Sequence, residues 1–189
     1  MAVEIERRFL VHVDKLPTDM GDGSKIVQGY LCYKPTVRVR TRGSNAYLTV
    51  KGEGTVSREE VESTIEYPAA LDMLAMCSAT VSKRRYLVFV MPDGARTPWQ
   101  WEIDQFGGHL DGLWLAEIEL TSEDEVFDKP DWLGAEVTYD PRFCNNNLAR
   151  AKKVPVFPCP RCKGKELLYS VGGGYTGGDA LVVCPECQP

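Results

Sequence analysis

The feature that most constrains this chain is a strand pattern whose polar half carries like-charged pairs at i and i+2. Val3-Glu4-Ile5-Glu6-Arg7-Arg8-Phe9-Leu10-Val11 places apolar residues at 3, 5, 9 and 11 against Glu4, Glu6 and Arg8. Successive side chains of a strand point to opposite faces, so the two carboxylates and the guanidinium share one face. Further along, Arg38/Arg40 and Lys83/Arg85 are basic pairs at i and i+2, and Glu102/Asp104 and Glu117/Glu119 are acidic ones. Solvated strand faces mix signs. Like charges held side by side repel, so their segregation costs stability unless a ligand neutralises them.

The remaining segments set out the order of elements. Residues 13–25, with Pro17, Gly21 and Gly23, read as a loop, and 26–33 as a strand or strand-turn. Thr36–Arg42 and Ala46–Lys51 form a hairpin about Gly43-Ser44-Asn45, with Tyr47, Thr49 and Lys51 on one face. Arg58, Glu60 and Glu62 align on a charged strand, and Pro68 opens a helix over 69–77. Strands follow at 81–90, 99–106, 113–120 and 135–138. Ser122 and Glu125 match a capping box for a short helix through Phe127, and Asp140-Pro141 an N-cap and first turn for a helix over 142–152. Many strands, few helices and hairpin-length turns make the chain mainly β, an antiparallel barrel or sandwich.

Charged faces turned into a closed barrel would surround one cavity with both signs. Carboxylates there suit divalent cations, and Arg and Lys suit phosphate oxygens, so the expected ligand is a polyanion with its metal. The net charge of −5 gives no broad footprint for nucleic acid. No apolar run approaches the 18 residues of a membrane span, and no signal peptide opens the chain, so a cytoplasmic setting is expected. His12 and His109 read as bystanders, and no Ser-His-Asp arrangement is present.

The ordered set Glu4-Ile5-Glu6-Arg7-Arg8, Gln28-Gly29-Tyr30-Leu31, Val37-Arg38-Val39-Arg40, Leu48-Thr49-Val50-Lys51 and Arg58 with Glu60 and Glu62 resembles the CYTH superfamily, the triphosphate tunnel metalloenzymes. Lys83-Arg84-Arg85-Tyr86, Ile103-Asp104-Gln105-Phe106, Ala116–Leu120 and Gly134–Thr138 continue the likeness, which covers residues 1–153. The resemblance implies an eight-stranded antiparallel β-tunnel that binds a triphosphate and needs Mg²⁺ or Mn²⁺. It implies Glu4, Glu6, Asp104, Glu117 and Glu119 as metal ligands, and Arg38, Arg40, Lys51, Arg58, Lys83 and Arg85 as phosphate ligands. Glu4, Glu6, Arg8, Glu60 and Glu62 are the catalytic candidates, with Glu60 or Glu62, or a second metal, activating the attacking water. The signature ends in lysine, which is Arg8 here. Arginine binds oxyanions in a fixed planar fork, whereas lysine is a compact charge able to shift its pKa.

The last stretch reads differently. Val154–Pro158, with two prolines, is an extended linker, and 159–189 carries Cys159, Cys162, Cys184 and Cys187 as two CPxC knuckles about a glycine-rich hairpin. Four thiolates at this spacing suit a tetrahedral structural Zn²⁺, and the module resembles a zinc ribbon. So short a segment needs the metal to fold. Its zero net charge favours docking on a protein, or capping the tunnel, over nucleic-acid binding. Three functions follow: a metal-dependent triphosphatase acting on inorganic tripolyphosphate or a nucleoside triphosphate; an adenylate cyclase on the same fold; and a non-catalytic binder of nucleotides or RNA 5′-triphosphates.

Overall fold

A computed structural model describes residues 2–53, 57–91 and 97–155. The expected zinc ribbon at 159–189 lies outside the described residues, as does the side chain of Arg58.

The strands are β1 (Ala2–Val11), β2 (Ser24–Tyr33), β3 (Thr36–Arg42), β4 (Asn45–Lys51), β5 (Ser57–Thr64), β6 (Thr80–Val90), β7 (Trp99–Phe106), β8 (Trp114–Glu119) and β9 (Leu133–Glu136). All the pairings are antiparallel, in the order β5-β4-β3-β2-β6-β7-β8-β1-β9. An additional pairing joins β1 to β5 through Ala2↔Glu60 to Ile5↔Ser57, so each of β1–β8 has a hydrogen-bonded neighbour on both sides. The sheet has nine strands: eight, β1–β8, in the number that the resemblance implies, and β9, which overlaps the short strand expected at 135–138. The ninth pairs with the far half of β1, at Phe9 and Val11, beyond the reach of β5.

Apolar residues pack on both sides of this sheet: Leu10, Tyr30, Val81, Phe106 and Leu115, on the same strand faces as the charges, join Leu110, Leu113 and Phe143, and a second cluster covers the outside. Phe9, Trp101, Ile103, Ala116 and Ile118 point away from the charged face and pack with Phe127 and Trp132 from the connection after β8. Trp101 meets Phe127 and Trp132 edge-on at centroid distances of 5.5 and 5.2 Å. Val39 and Ala46 pack with Ala70 of α1 (Tyr67–Met76). That helix ends against β2 at Gly29, where a Cβ would lie 2.6 Å from Cys77 Sγ. A side chain on Gly29 would push the helix end off the sheet.

Two helix expectations change. Residues 121–127 form no helix: Glu125 Oε2 instead accepts from the Thr121 N–H at 2.5 Å and from its hydroxyl at 2.7 Å. The capping partners are present, but the turn they close is not propagated, because Val126 is exposed and only Phe127 finds the core. The helix expected over 142–152 is split into a 3₁₀ turn at Pro141–Phe143 and α2 at Asn145–Arg150. Asp140 does cap the first, accepting from the Arg142 N–H at 3.0 Å. Among the described residues no helix is long and apolar enough to cross a membrane.

Candidate functional site

The charged faces of all eight strands β1–β8 meet around one cavity of about 380 Å³. Its lining includes six cations (Arg8, Arg38, Arg40, Lys51, Lys83, Arg85) and seven carboxylates (Glu4, Glu6, Glu60, Glu62, Glu102, Glu117, Glu119). Register makes the clustering explicit. Glu6 lies directly opposite Glu119, and Glu102 opposite Glu117, each a like-charged cross-strand pair that a sheet ordinarily avoids.

Each side of the cavity has its own network. Arg8 is buried, and its Nε donates to Glu117 Oε1 at 2.8 Å while Nη2 donates to Glu6 Oε1. Arg85 forks onto Asp104 through Nε at 2.7 Å and Nη2 at 2.5 Å, and also reaches Glu117 Oε2 at 2.7 Å and Glu102. Lys83 donates to Asp104 and lies 3.4 Å from Asn145 Oδ1. Across the cavity Lys51 Nζ sits 2.7 Å from Glu4 and 2.6 Å from Glu60. Arg40 donates to Glu62 at 3.0 Å, and the Thr49 hydroxyl donates to the other Glu62 oxygen at 2.7 Å.

These contacts tune the groups unequally. Burial alone would raise Glu117, but Lys83, Arg8 and Arg85 outweigh it and hold the carboxyl well below the usual range. Glu119 moves the other way: desolvation and the neighbouring Glu4 and Glu102 charges raise it, and among the described residues it has no ion-pair partner. Desolvation and a hydrogen bond with Glu4 raise Glu60. Desolvation pushes Glu62 up too, but Thr49, Arg40 and Arg38 leave it lowered. Arg40 and Lys83 are both lowered, chiefly by desolvation and then by a neighbouring arginine. The Nε atoms of Arg38 and Arg40 are buried without an acceptor. The cavity thus holds both a spare carboxylate, Glu119, and spare donors on Arg38 and Arg40, chemistry that suits an anion and cations together.

The sequence candidates separate on this map. Glu4, Glu6, Arg8, Arg38, Arg40, Lys51, Glu60, Glu62, Lys83, Arg85, Glu117 and Glu119 all line the cavity. Asp104 is placed otherwise than the resemblance implies. It is fully buried beneath Lys83 and Arg85 and is not among the lining residues, whereas Glu102, two residues earlier on the same face, is. Strand alternation could not rank the two, because it fixes the face and not the depth. Cys144, Asn145 and Asn146 also line the cavity from the turn into α2, and nothing in their local sequence signals it. His12 and His109 are not among the lining residues, and His109 Nε2 lies 3.1 Å from Leu148 O.

Oxygen-rich carboxylates are the donor chemistry that Mg²⁺ and Mn²⁺ take. Yet among the described residues no group of three or more His, Cys, Asp or Glu stands arranged to hold a metal ion. The ion pairs explain this: side-chain cations lie between the carboxylates. A metal would have to exchange with them.

Comparison with known proteins places the chain. The model of the CYTH domain matches residues 2–150. The inorganic triphosphatase of Acetivibrio thermocellus is 40% identical over 154 residues, covering 79% of this chain and 95% of that protein. The inorganic triphosphatase of Nitrosomonas europaea is also 40% identical over 154 residues, covering 77% and 96%. A crystal structure of an inorganic triphosphatase superposes with a TM-score of 0.58 at 34% identity, covering 81% of this chain and 98% of that one.

Proposed function

The chain belongs to the CYTH domain family, and from that premise we propose that it is a divalent-metal-dependent triphosphatase acting on inorganic tripolyphosphate. The observation that carries the proposal is the single cavity shared by eight strands, in which six cations and seven carboxylates interleave. The names of the two 40% identical relatives support the choice of substrate. The pairing of β1 with both β5 and β8 supports reading the eight strands as a tunnel.

Arg38, Arg40, Lys51, Lys83 and Arg85 would bind the phosphate oxygens, the first two through Nε donors that have no other use. Glu4, Glu6, Glu117 and Glu119 would hold Mg²⁺ or Mn²⁺, and Glu102 lines the same end. Asp104 serves from beneath by orienting Lys83 and Arg85. The metal, when bound, neutralises charge on the phosphates and their leaving group. Of the two candidate bases, Glu60 is the better fitted, since a raised pKa brings a carboxylate nearer the working pH, and Glu62 is lowered. Glu60 would take a proton as water oxygen bonds to the terminal phosphorus. The bridging P–O bond breaks, leaving phosphate and pyrophosphate.

Incubation with tripolyphosphate, ATP and triphosphate-ended RNA, each with Mg²⁺ or Mn²⁺, tests this. Phosphate release from tripolyphosphate, abolished by Glu119→Ala, is expected. Cyclic AMP with pyrophosphate as the main products, or tight binding without turnover, overturns it.

The four cysteines at 159–187 would hold a structural Zn²⁺ in a ribbon, a reading that rests on their spacing, and the zero net charge of that segment favours docking on a protein or capping the tunnel. Zinc analysis of the reduced protein should find about one ion per chain, and a zinc-free preparation removes the proposal. A cytoplasmic setting is consistent with the free thiols of Cys32, Cys77 and Cys144.

A further inference from the structure

Arg8 and Arg85 both bridge carboxylates in the cavity, but their situations differ. Arg85 has a dedicated counter-ion, Asp104, which accepts from it twice and is fully buried. Arg8 has none. Its two carboxylate partners are Glu6 on β1 and Glu117 on β8, and among the described residues its remaining nitrogen, Nη1, meets Cys144 Sγ at 3.8 Å. A thiol is a weak acceptor, so this third contact does little to hold the side chain. The guanidinium is 6% exposed, and Glu6 and Glu117 raise its pKa against the cost of burial, so it is charged at every working pH.

We infer that Arg8 couples the binding of divalent cation to the binding of polyphosphate. The inference rests on the proposed function, in which Glu6 and Glu117 are cation ligands. A guanidinium and a divalent cation compete for the same two carboxylates. The planar fork strengthens the competition, because Nε and Nη2 engage one carboxylate each, on different strands. A lysine ammonium, a point charge without that fixed spread, would hold the pair less firmly. Polyphosphate offers Arg8 new oxygens. Drawing the guanidinium away frees the Glu6 Oε1 and Glu117 Oε1 oxygens it holds, while Arg85 keeps Glu117 Oε2, so polyphosphate tightens the cation and, by linkage, the cation tightens polyphosphate equally. Arg8 is thus a brake on metal binding that the substrate releases.

The test counts free Mn²⁺ by electron paramagnetic resonance with the full-length chain, with and without imidotriphosphate, a tripolyphosphate analogue with nitrogen bridges. Because Mn²⁺ also binds the analogue itself, the decisive quantity is the difference between wild type and variant. Arg8→Met should bind Mn²⁺ about tenfold tighter than wild type without the analogue, and should lose a similar factor from the enhancement the analogue gives. Arg8→Lys keeps the charge and loses the fork, so it should lie between them in both quantities. Wild-type Mn²⁺ affinity in Arg8→Lys would assign any Arg8→Met effect to net charge alone and overturn the inference. Unchanged coupling in both variants does the same while leaving the proposed function intact. If the wild type binds neither Mn²⁺ nor the analogue, the proposed function falls and takes this inference with it.

Discussion

Glu60 and Glu62 are two residues apart on β5 and face the same cavity, yet their surroundings give them opposite tendencies. Glu60 lies beside another carboxylate, Glu4, and Glu62 is held by Thr49, Arg40 and Arg38. As a base, Glu60 works only when unprotonated, so kcat should rise with pH along an acid limb. Glu60→Gln should lower kcat by about 10²–10⁴ and erase that acid limb. Glu62→Gln should act mainly on KM, since it releases Arg40 and Arg38, and should keep the limb; the reverse result in steady-state kinetics exchanges the two roles. Glu117 provides a test on stability. Its folded pKa is depressed, so its contribution is present above the unfolded value of about 4.3 and is lost as pH falls through the folded value. Urea midpoints of the wild type should drop over that acid window, and those of Glu117→Gln should drop less.

At the scale of elements, the strands divide their apolar residues between both sides of the sheet. Those turned outward need cover, which the connection after β8 supplies with Phe127 and Trp132, and α1 supplies with Ala70. The seat of α1 is the most exacting of these contacts, because the bare backbone of Gly29 makes room for Cys77 and Leu74. Gly29→Ala should destabilise the protein by about 1–3 kcal/mol through overpacking, read as a lowered urea midpoint. An unchanged midpoint would mean that α1 can slide. Glycine's absent side chain matters here for space and not for backbone angle.

For the whole molecule, the central fact is a buried polar network around which the sheet is wrapped. The like-charged pair of Glu102 with Glu117 is tolerated because a cation from another strand, Arg85 of β6, reaches both. Ligands that take over this neutralisation should stabilise the native state alone. At concentrations about a hundredfold above Kd, Mn²⁺ with imidotriphosphate should add about 2.7 kcal/mol, seen as a raised thermal midpoint. Either component alone should shift it less than the pair does.

The sequence by itself determined which residues face inward, because strand alternation is local and leaves no choice once one side chain is placed. Glu4 with Glu6, Arg38 with Arg40, and Glu117 with Glu119 were legible for that reason. Alternation could not say that Asp104 lies under Lys83 and Arg85 while Glu102 reaches the cavity. Nor could it show that Cys144, Asn145 and Asn146 come to line that cavity from a turn more than 130 residues after β1. It marked Arg8 as a departure but not as a bridge between Glu6 and Glu117. Those facts belong to tertiary structure. Depth and pairing depend on cross-strand register and on which strands meet when the sheet curves, and electrostatic energy follows distances that no single strand contains.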